Sequence, residues 1–285
     1  MELMTAIGAM PIVDLAALAA VAVIGLPHGA LDGAIAMHLG LGRNPLIFLR
    51  FLLLYIGMAG LVIVAWMMAP TACLLAFLFI SMLHFGAGDA RHGTGWLRSI
   101  EVVAHGGLVV VGISQLHRPE VDIIFGYLTG ADTMPVWNIL DIMTVVVGVA
   151  VAICIIQGLW HRRWRITALE LMALGVLFAM APPLVGFAVY FCLVHSARHV
   201  AGVLGSLRRD MSRAALINQA TLLTVASWVA GGLALWWFGD QTNPEPMLMR
   251  VVFIGLAALT VPHMILVDGI YRRTTPSLKR EFISR

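Results

Sequence analysis

The chain has 285 residues, of which 60% are hydrophobic and only 12% are charged, and its formal net charge is +3. A soluble domain typically has about 25% charged residues, so this composition excludes a soluble fold and predicts a polytopic membrane protein. The three cysteines form no C-x-x-C pair, and their odd number argues against a disulfide framework or a zinc finger. Nucleic-acid binding is disfavoured because the basic residues lie in short loops between apolar segments.

Nine segments have the length and hydropathy of membrane-spanning helices. In chain order they are residues 12–38, 46–69, 71–88, 99–115, 136–160, 165–181, 183–205, 215–238 and 247–271. The third, fourth and sixth segments are short, so eight spans with one re-entrant segment is the alternative. We find no linker or soluble appendage between them. The sequence therefore predicts an all-α helix bundle that forms a single transmembrane domain over residues 1–285.

The basic residues of the connecting loops support a nine-span topology. They fall in alternate loops at Arg43, Arg91, Arg98, Arg162, Arg163, Arg165, Arg208, Arg209 and Arg213, and again in the tail. Cytoplasmic loops are enriched in lysine and arginine, so this alternation predicts an N-terminus outside and a C-terminus in the cytoplasm. An eight-span count would break it, and Arg118 is the main exception. We expect a multi-pass protein of the inner cell membrane.

Histidines inside the predicted spans are the most informative residues of the chain. They are His28, His84, His195, His199 and His263. An ionisable residue at that depth costs roughly 2.5–3.5 kcal/mol, so it indicates a functional site. His195 and His199 are four residues apart and share one helix face, and the predicted topology places all five at a similar depth. We therefore predict one buried metal site with His28, His84, His195 and His199 as ligands.

The residues around these histidines bear on the kind of metal. Neutral imidazoles suit iron, copper, zinc or nickel. An aspartate follows each of the three histidines outside the pair by four or five residues; these are Asp32, Asp89 and Asp268. We expect these carboxylates to accept N–H bonds from the ligands and to offset the charge of the cation. The sequence does not decide whether His263 is a ligand or a hydrogen-bond partner of a ligand. It also leaves open whether Arg198 pairs with an aspartate or extends to the membrane interface. We interpret His105 as a packing residue.

The segments PHGALD, HFGAGD, HSARH and PHMILVD, in that order over nearly the whole chain, resemble the Brp/Blh family of membrane β-carotene 15,15′-dioxygenases. The resemblance implies an enzyme with one iron(II) ion per chain that splits the central double bond of β-carotene with O2. Its product would be two molecules of retinal, which supply a microbial rhodopsin. By the same match, His28, His84, His195 and His199 correspond to the proposed iron ligands. The iron centre itself would be catalytic, with no separate acid or base.

Such an enzyme needs an apolar tunnel that receives a lipid-soluble polyene from the bilayer. The aromatic residues considered for its lining are Phe85, Tyr190, Phe191, Trp228, Trp236 and Trp237. Each of them taken alone is more typical of helix packing or interfacial anchoring. Two other classes stay open: a metal- or proton-coupled transporter, which also uses intramembrane His and Asp, and a carotenoid-binding protein without catalysis. The clustering of histidines at one depth favours the enzyme over the transporter. The oligomeric state is not predicted.

Overall fold

The structure is a computed structural model, and it describes residues 10–92, 94–130, 132–207, 211–238 and 244–272. The side chains of Pro27 and His28 also lie outside the described part, as do the predicted loop charges Arg208 and Arg209 and the basic tail from residue 273 onward. Helices account for all regular secondary structure of the described residues, and no strand occurs among them. The predicted all-α class is confirmed.

Thirteen α-helices form in the described residues, several of them starting at a proline, which fits the first turn of a helix. They are α1 (Ile12–Ala20), α2 (Asp32–His38), α3 (Pro45–Met68), α4 (Pro70–Asp89), α5 (Trp96–Gly107), α6 (Ile113–Leu116), α7 (Arg118–Thr129), α8 (Met134–Trp160), α9 (Arg165–Met180), α10 (Pro183–Val189), α11 (Ser196–Leu207), α12 (Arg213–Phe238) and α13 (Pro244–Met264). Shorter segments with wider or tighter turns join some of them into continuous long helices.

Eight of the continuous helical stretches in the described residues are long and apolar enough to cross a membrane. The predicted sixth span corresponds to α9, which has 16 residues. Such a helix is about 24 Å long, whereas a span needs about 20 residues. The lengths therefore fit the eight-span alternative, and the predicted sixth span is instead the shorter helix α9, which packs against α8 and α10. The chain is a multi-pass membrane protein, and its orientation stays a prediction.

The outer surface of the bundle is apolar. Leu54, Met68, Trp160 and Met180 expose 72%, 82%, 79% and 81% of their surface. On the long helix α3, Trp66 is the one residue whose side chain is buried, and the others are partly or fully exposed. Contiguous apolar surface of this extent is costly in water but matches lipid tails. The helices satisfy their own backbone hydrogen bonds, as the bilayer core requires.

Segments with altered helical turns coincide with the histidine motifs. π-helical turns occupy Val21–Gly25, Leu108–Gly112, Tyr190–His195 and Ile265–Tyr271, and a 3₁₀ segment occupies Leu26–Leu31. His195 and Asp268 lie inside π turns, and His28 lies in the 3₁₀ segment. A π turn adds one residue to a helical turn and so changes the direction of the side chains that follow it, and such turns are frequent at functional sites.

Glycines let α4 and α5 approach each other closely beside His84. A Cβ atom on Gly106 would lie 1.8 Å from the carbonyl oxygen of Met82, and one on Gly86 would lie 2.0 Å from that of Val102. Both contacts involve backbone atoms, which cannot rotate away. Small residues of this kind allow close packing of membrane helices. The two glycines therefore fix the distance between α4, which bears His84, and α5.

We predict that Gly106→Ala destabilises the protein by about 1–3 kcal/mol, the usual cost of overpacking, because α4 and α5 must separate. Thermal unfolding in detergent measures the effect. Gly148→Ala on α8 is the matched control, since nothing lies within 4 Å of a Cβ atom there. Equal unfolding temperatures for the two variants would contradict the close-packing argument.

Candidate metal centre and apolar cavity

Four histidine rings from different parts of the chain meet inside the bundle. The Nε2 atoms of His84 on α4 and His195 in the Tyr190–His195 turn are 3.3 Å apart. The ring of His263 on α13 lies 5.2 Å from that of His84 and 5.1 Å from that of His199 on α11, between ring centroids. All four residues are buried. The structure thus brings together three of the predicted ligands and His263, while the side chain of His28 lies outside the described residues.

The four imidazoles are neighbours rather than a closed coordination shell. Among the described side chains, no three of His, Cys, Asp or Glu stand in the geometry of a formed metal site. The donor chemistry of the cluster nevertheless suits a transition metal, because imidazole nitrogens are ligands that such metals prefer and the Nε2 atoms of His84 and His195 face each other in a buried space. This fit depends on which ring nitrogen bears the proton, and the aspartates decide that.

Two of the predicted aspartates each hold a histidine on another helix. His84 Nδ1–H donates to Asp268 Oδ2 over 3.1 Å. His263 Nδ1–H donates to both oxygens of Asp32, at 2.9 and 3.0 Å. Asp268 therefore binds His84, not the histidine five residues before it. Because each Nδ1 donates, the Nε2 of each ring is left as a lone-pair donor, which is the usual arrangement of metal-binding histidines.

These aspartates have outer partners of their own. Arg272 Nη1 lies 2.7 Å from Asp268 Oδ1. The hydroxyl of Tyr55 on α3 donates to Asp32 Oδ2 over 2.8 Å. Each link holds a carboxylate in place, and the carboxylate in turn orients a ring of the cluster. Neither Tyr55 nor Arg272 was predicted: Tyr55 lies in a plain apolar segment, and Arg272 resembled the loop charges.

Asp89 lies behind His195 and is almost fully buried. Its Oδ2 accepts a 2.5 Å hydrogen bond from the hydroxyl of Tyr190. Its Oδ1 is 3.3 Å from Arg198 Nη1 and 3.9 Å from His195 Nδ1. Arg198 also contacts Glu170 on α9. The open question about Arg198 is answered: it pairs with an aspartate. Glu170 was missed, although an ionisable residue in a predicted span was a signal for it.

Three further histidines, among them the predicted packing residue His105, have other surroundings. His105 is fully buried on α5 and makes no ring contact with the four-histidine cluster in the described structure. His92 donates to Glu101 over 2.9 Å and stacks on Trp164 with ring centroids 3.6 Å apart. His117 Nε2–H donates to the Phe178 carbonyl oxygen over 2.7 Å.

An apolar cavity lies beside the histidine cluster. Its free volume is about 100 Å³, and its lining comes mainly from α4, the Leu108–Gly112 turn, α7 and α10. A second, smaller cavity of about 20 Å³ has His84 among its lining residues. The two share Phe77, Ser81, Phe85 and Phe187 as lining residues. An apolar lining is typical of small-molecule sites, and the smaller cavity, which shares these residues, reaches a histidine of the cluster.

The aromatic residues considered for a tunnel divide into two groups. Phe85 lines both cavities and Phe191 lines the smaller one. Tyr190 lines neither of these two cavities, because its hydroxyl is directed to Asp89. Trp228 on α12 is 42% exposed, and its indole N–H donates to the Ala22 carbonyl oxygen over 2.8 Å. The structure thus places Trp228 on the outer surface and not in the lining of either cavity, and Trp236 and Trp237 are likewise exposed.

A sequence profile of the family described as "Beta-carotene 15,15'-dioxygenase" matches residues 19–271 of the chain. The chain belongs to the β-carotene 15,15′-dioxygenase family. It is 38% identical over 269 residues to the "Beta-carotene 15,15'-dioxygenase" of uncultured marine bacterium 66A03, covering 94% of this chain and 98% of that protein. It is 29% identical over 309 residues to the "Probable beta-carotene 15,15'-dioxygenase Blh" of Halobacterium salinarum, covering 94% and 87%. No solved structure matches the chain.

The match to the β-carotene 15,15′-dioxygenase family confirms the resemblance seen in the four motifs. The matched residues 19–271 run from before PHGALD to beyond PHMILVD. They include the four clustered histidines, the three aspartates and Glu170, and also every lining residue of the two cavities. The cluster and the cavities are therefore features of the family region of this chain.

Proposed function

We propose that the chain binds one iron(II) ion at the histidine cluster and uses O2 to split the 15,15′ double bond of β-carotene, giving two molecules of retinal. One observation supports this above the others: an apolar cavity shares four lining residues with a space that His84 also lines. Family membership supports the substrate and the bond that is cut. A hydrocarbon held in such a cavity would lie beside the metal ligands.

The Nε2 atoms of His84, His195, His199 and His263 would hold the iron, together with His28. Four imidazole rings and their carboxylate partners fit a divalent cation in charge as well as in donor type. The network of ion pairs that extends from the cluster contains four carboxylates and three guanidinium groups, which leaves one negative charge in excess. The carboxylates are Asp32, Asp89, Asp268 and Glu170, and the guanidinium groups are Arg91, Arg198 and Arg272. Iron(II), when bound, would supply the O2-dependent redox chemistry that these side chains lack.

The remaining side chains would bind and orient the substrate. Phe77, Phe85 and Phe187 line both cavities and would position the polyene against His84 while excluding water. β-Carotene has no ionisable group, so no general acid or base is required. One O2 molecule supplies one oxygen atom to each retinal, and the reaction balances without another reactant.

The surroundings of the enzyme follow from its substrate. β-Carotene dissolves in the bilayer, so a site inside a multi-pass membrane protein meets it directly. We propose that the protein lies in the inner cell membrane with its C-terminus in the cytoplasm, because the tail from Arg272 onward is rich in basic residues. The retinal released would supply a microbial rhodopsin in the same membrane.

Expression in a bacterium that accumulates β-carotene tests the proposal. Chromatography should show loss of β-carotene with a matching gain of retinal, and neither change with His195→Ala. Metal analysis of the purified protein should find iron at one ion per chain. Unchanged β-carotene with the protein present in the membrane would contradict the proposed reaction. Metal uptake into vesicles without cleavage would instead support a transporter.

We predict that Asp268→Asn lowers iron occupancy and retinal formation by about 10–100-fold, the usual effect of losing a partner of a metal-bound histidine. The carboxamide no longer holds the Nδ1–H of His84 as an anion does. Asp141→Asn is the matched control, because Asp141 lies on α8 in an exposed ion pair with Arg118. Wild-type iron content in Asp268→Asn would remove Asp268 from the site.

A further inference from the structure

A line of alternating charges extends from His195 to the edge of the bundle. Asp89 Oδ1 lies 3.3 Å from Arg198 Nη1, and the same nitrogen lies 2.5 Å from Glu170 Oε1. Glu170 Oε2 accepts a 2.7 Å hydrogen bond from Arg91 Nη2. Two carboxylates and two guanidinium groups thus alternate in sign and cancel in net charge. The line joins α4, α9 and α11 behind one ring of the histidine cluster.

Asp89 depends on this line because it is buried. Its side chain is 1% exposed, and a buried carboxylate needs a cationic partner or several hydrogen bonds to stay charged. Tyr190 gives one hydrogen bond, and Arg198 supplies the positive charge. A Cβ atom on Gly88 would lie 2.9 Å from His195 Cε1, so the ring packs tightly against α4 beside this carboxylate. A shift of Asp89 would therefore act on the His195 ring.

Arg198 in turn needs a partner that keeps it in place. Its side chain is 32% exposed, and a long arginine side chain at the edge of a membrane protein can extend toward the headgroups instead. Glu170 is 13% exposed and makes the shorter of the two carboxylate contacts of Arg198. Its carboxylate also contacts Arg91, which anchors it from a second side. Glu170 is the residue that keeps Arg198 close to Asp89.

We propose that Glu170 is a positioning residue: it holds Arg198 against Asp89 and thereby orients His195 toward the metal. The inference rests on the proposed function in one respect, namely that His195 is a metal ligand. Glu170 contacts neither the histidine cluster nor the two cavities in the described structure, so its effect on metal binding passes through Arg198 and Asp89.

Cobalt(II) binding to the purified, iron-free protein tests the proposal without relying on activity. The visible absorption of bound cobalt reports the arrangement of its ligands. Glu170→Gln should weaken cobalt binding about 10–100-fold and shift these absorption bands, and Glu170→Asp should restore part of both. Arg198→Gln should have a similar effect. The double variant should lose little more than either single variant, because the two residues act in one line.

Two controls separate the possible outcomes. Glu120→Gln removes an exposed carboxylate on α7 and should leave binding and spectrum unchanged. His195→Ala should bind cobalt more weakly whether or not Glu170 is a positioning residue. If His195→Ala weakens binding but Glu170→Gln and Arg198→Gln leave affinity and spectrum unchanged, the positioning role is wrong and the proposed function stands. If His195→Ala itself binds cobalt normally, the ligand assignment fails and the inference fails with it.

Discussion

His199→Ala should abolish retinal formation and remove iron from the protein while leaving membrane insertion intact. His199 is a buried member of the i, i+4 pair, and its ring lies 5.1 Å from that of His263. Under the proposed function, replacing this ring removes one nitrogen donor from the metal. The loss of iron and activity should be larger than the loss of about 10–100-fold expected when a hydrogen-bond partner of a ligand is replaced. His84→Ala should behave in the same way.

Metal content and retinal yield, measured on the same purified preparation, check this prediction. His161→Ala is the matched control, because His161 is exposed between α8 and α9. The control should keep iron and activity at the level of the unchanged protein. Full iron content and full activity in His199→Ala or in His84→Ala would show that the ring in question is not a ligand.

Ser81→Leu should reduce β-carotene cleavage about 100-fold with iron content unchanged, because a displacement of about 1 Å in a reacting group can cost that much. Ser81 is buried and lines both cavities, so it lies where the apolar cavity meets the space beside His84. A leucine side chain there would occupy part of the space that the two cavities share. The polyene could then no longer bring its central bond to the metal.

Steady-state cleavage in detergent, with iron determined in parallel, separates a blocked passage from a damaged metal site. Ser227→Leu supplies the matched control: Ser227 lies on α12, half-buried, with its hydroxyl bonded to the Leu223 carbonyl oxygen. Cleavage by Ser81→Leu at the rate of Ser227→Leu would mean that the substrate does not pass Ser81. Loss of iron in Ser81→Leu would mean that the residue acts on the metal site instead.

Much of the architecture could be predicted from the sequence because membrane helices follow from composition. A run of about 20 apolar residues predicts a span wherever it occurs, and the bounds of most predicted spans agree with α-helices of the structure. The exception is α9, whose apolar run is only 16 residues long. Loop charges alone could not distinguish it from a full span, because they report the side of a loop and not the length of the helix between two loops.

The candidate site was predictable in its residue types but not in its contacts. A histidine in an apolar run is conspicuous, so the sequence alone is enough to single out His84, His195, His199 and His263. The predicted aspartates lie among them, yet the spacing along the chain suggested the wrong partner for Asp268. Tyr55 and Glu170 were missed, since neither belongs to a histidine motif. Trp228 was considered for the tunnel on residue type alone, and burial places it on the outer surface.

The sequence by itself determined that this protein is a helical membrane protein of the β-carotene 15,15′-dioxygenase family with intramembrane histidines and aspartates. These properties reside in local composition and in the order of short motifs. Only the tertiary structure decided that Asp268 binds His84, that Asp32 binds His263 and that Glu170 supports Arg198. The physical reason is that helical periodicity determines only neighbours within one or two turns. Contacts between helices depend on how closely the helices pack, as at Gly86 and Gly106, and on how π turns direct their side chains.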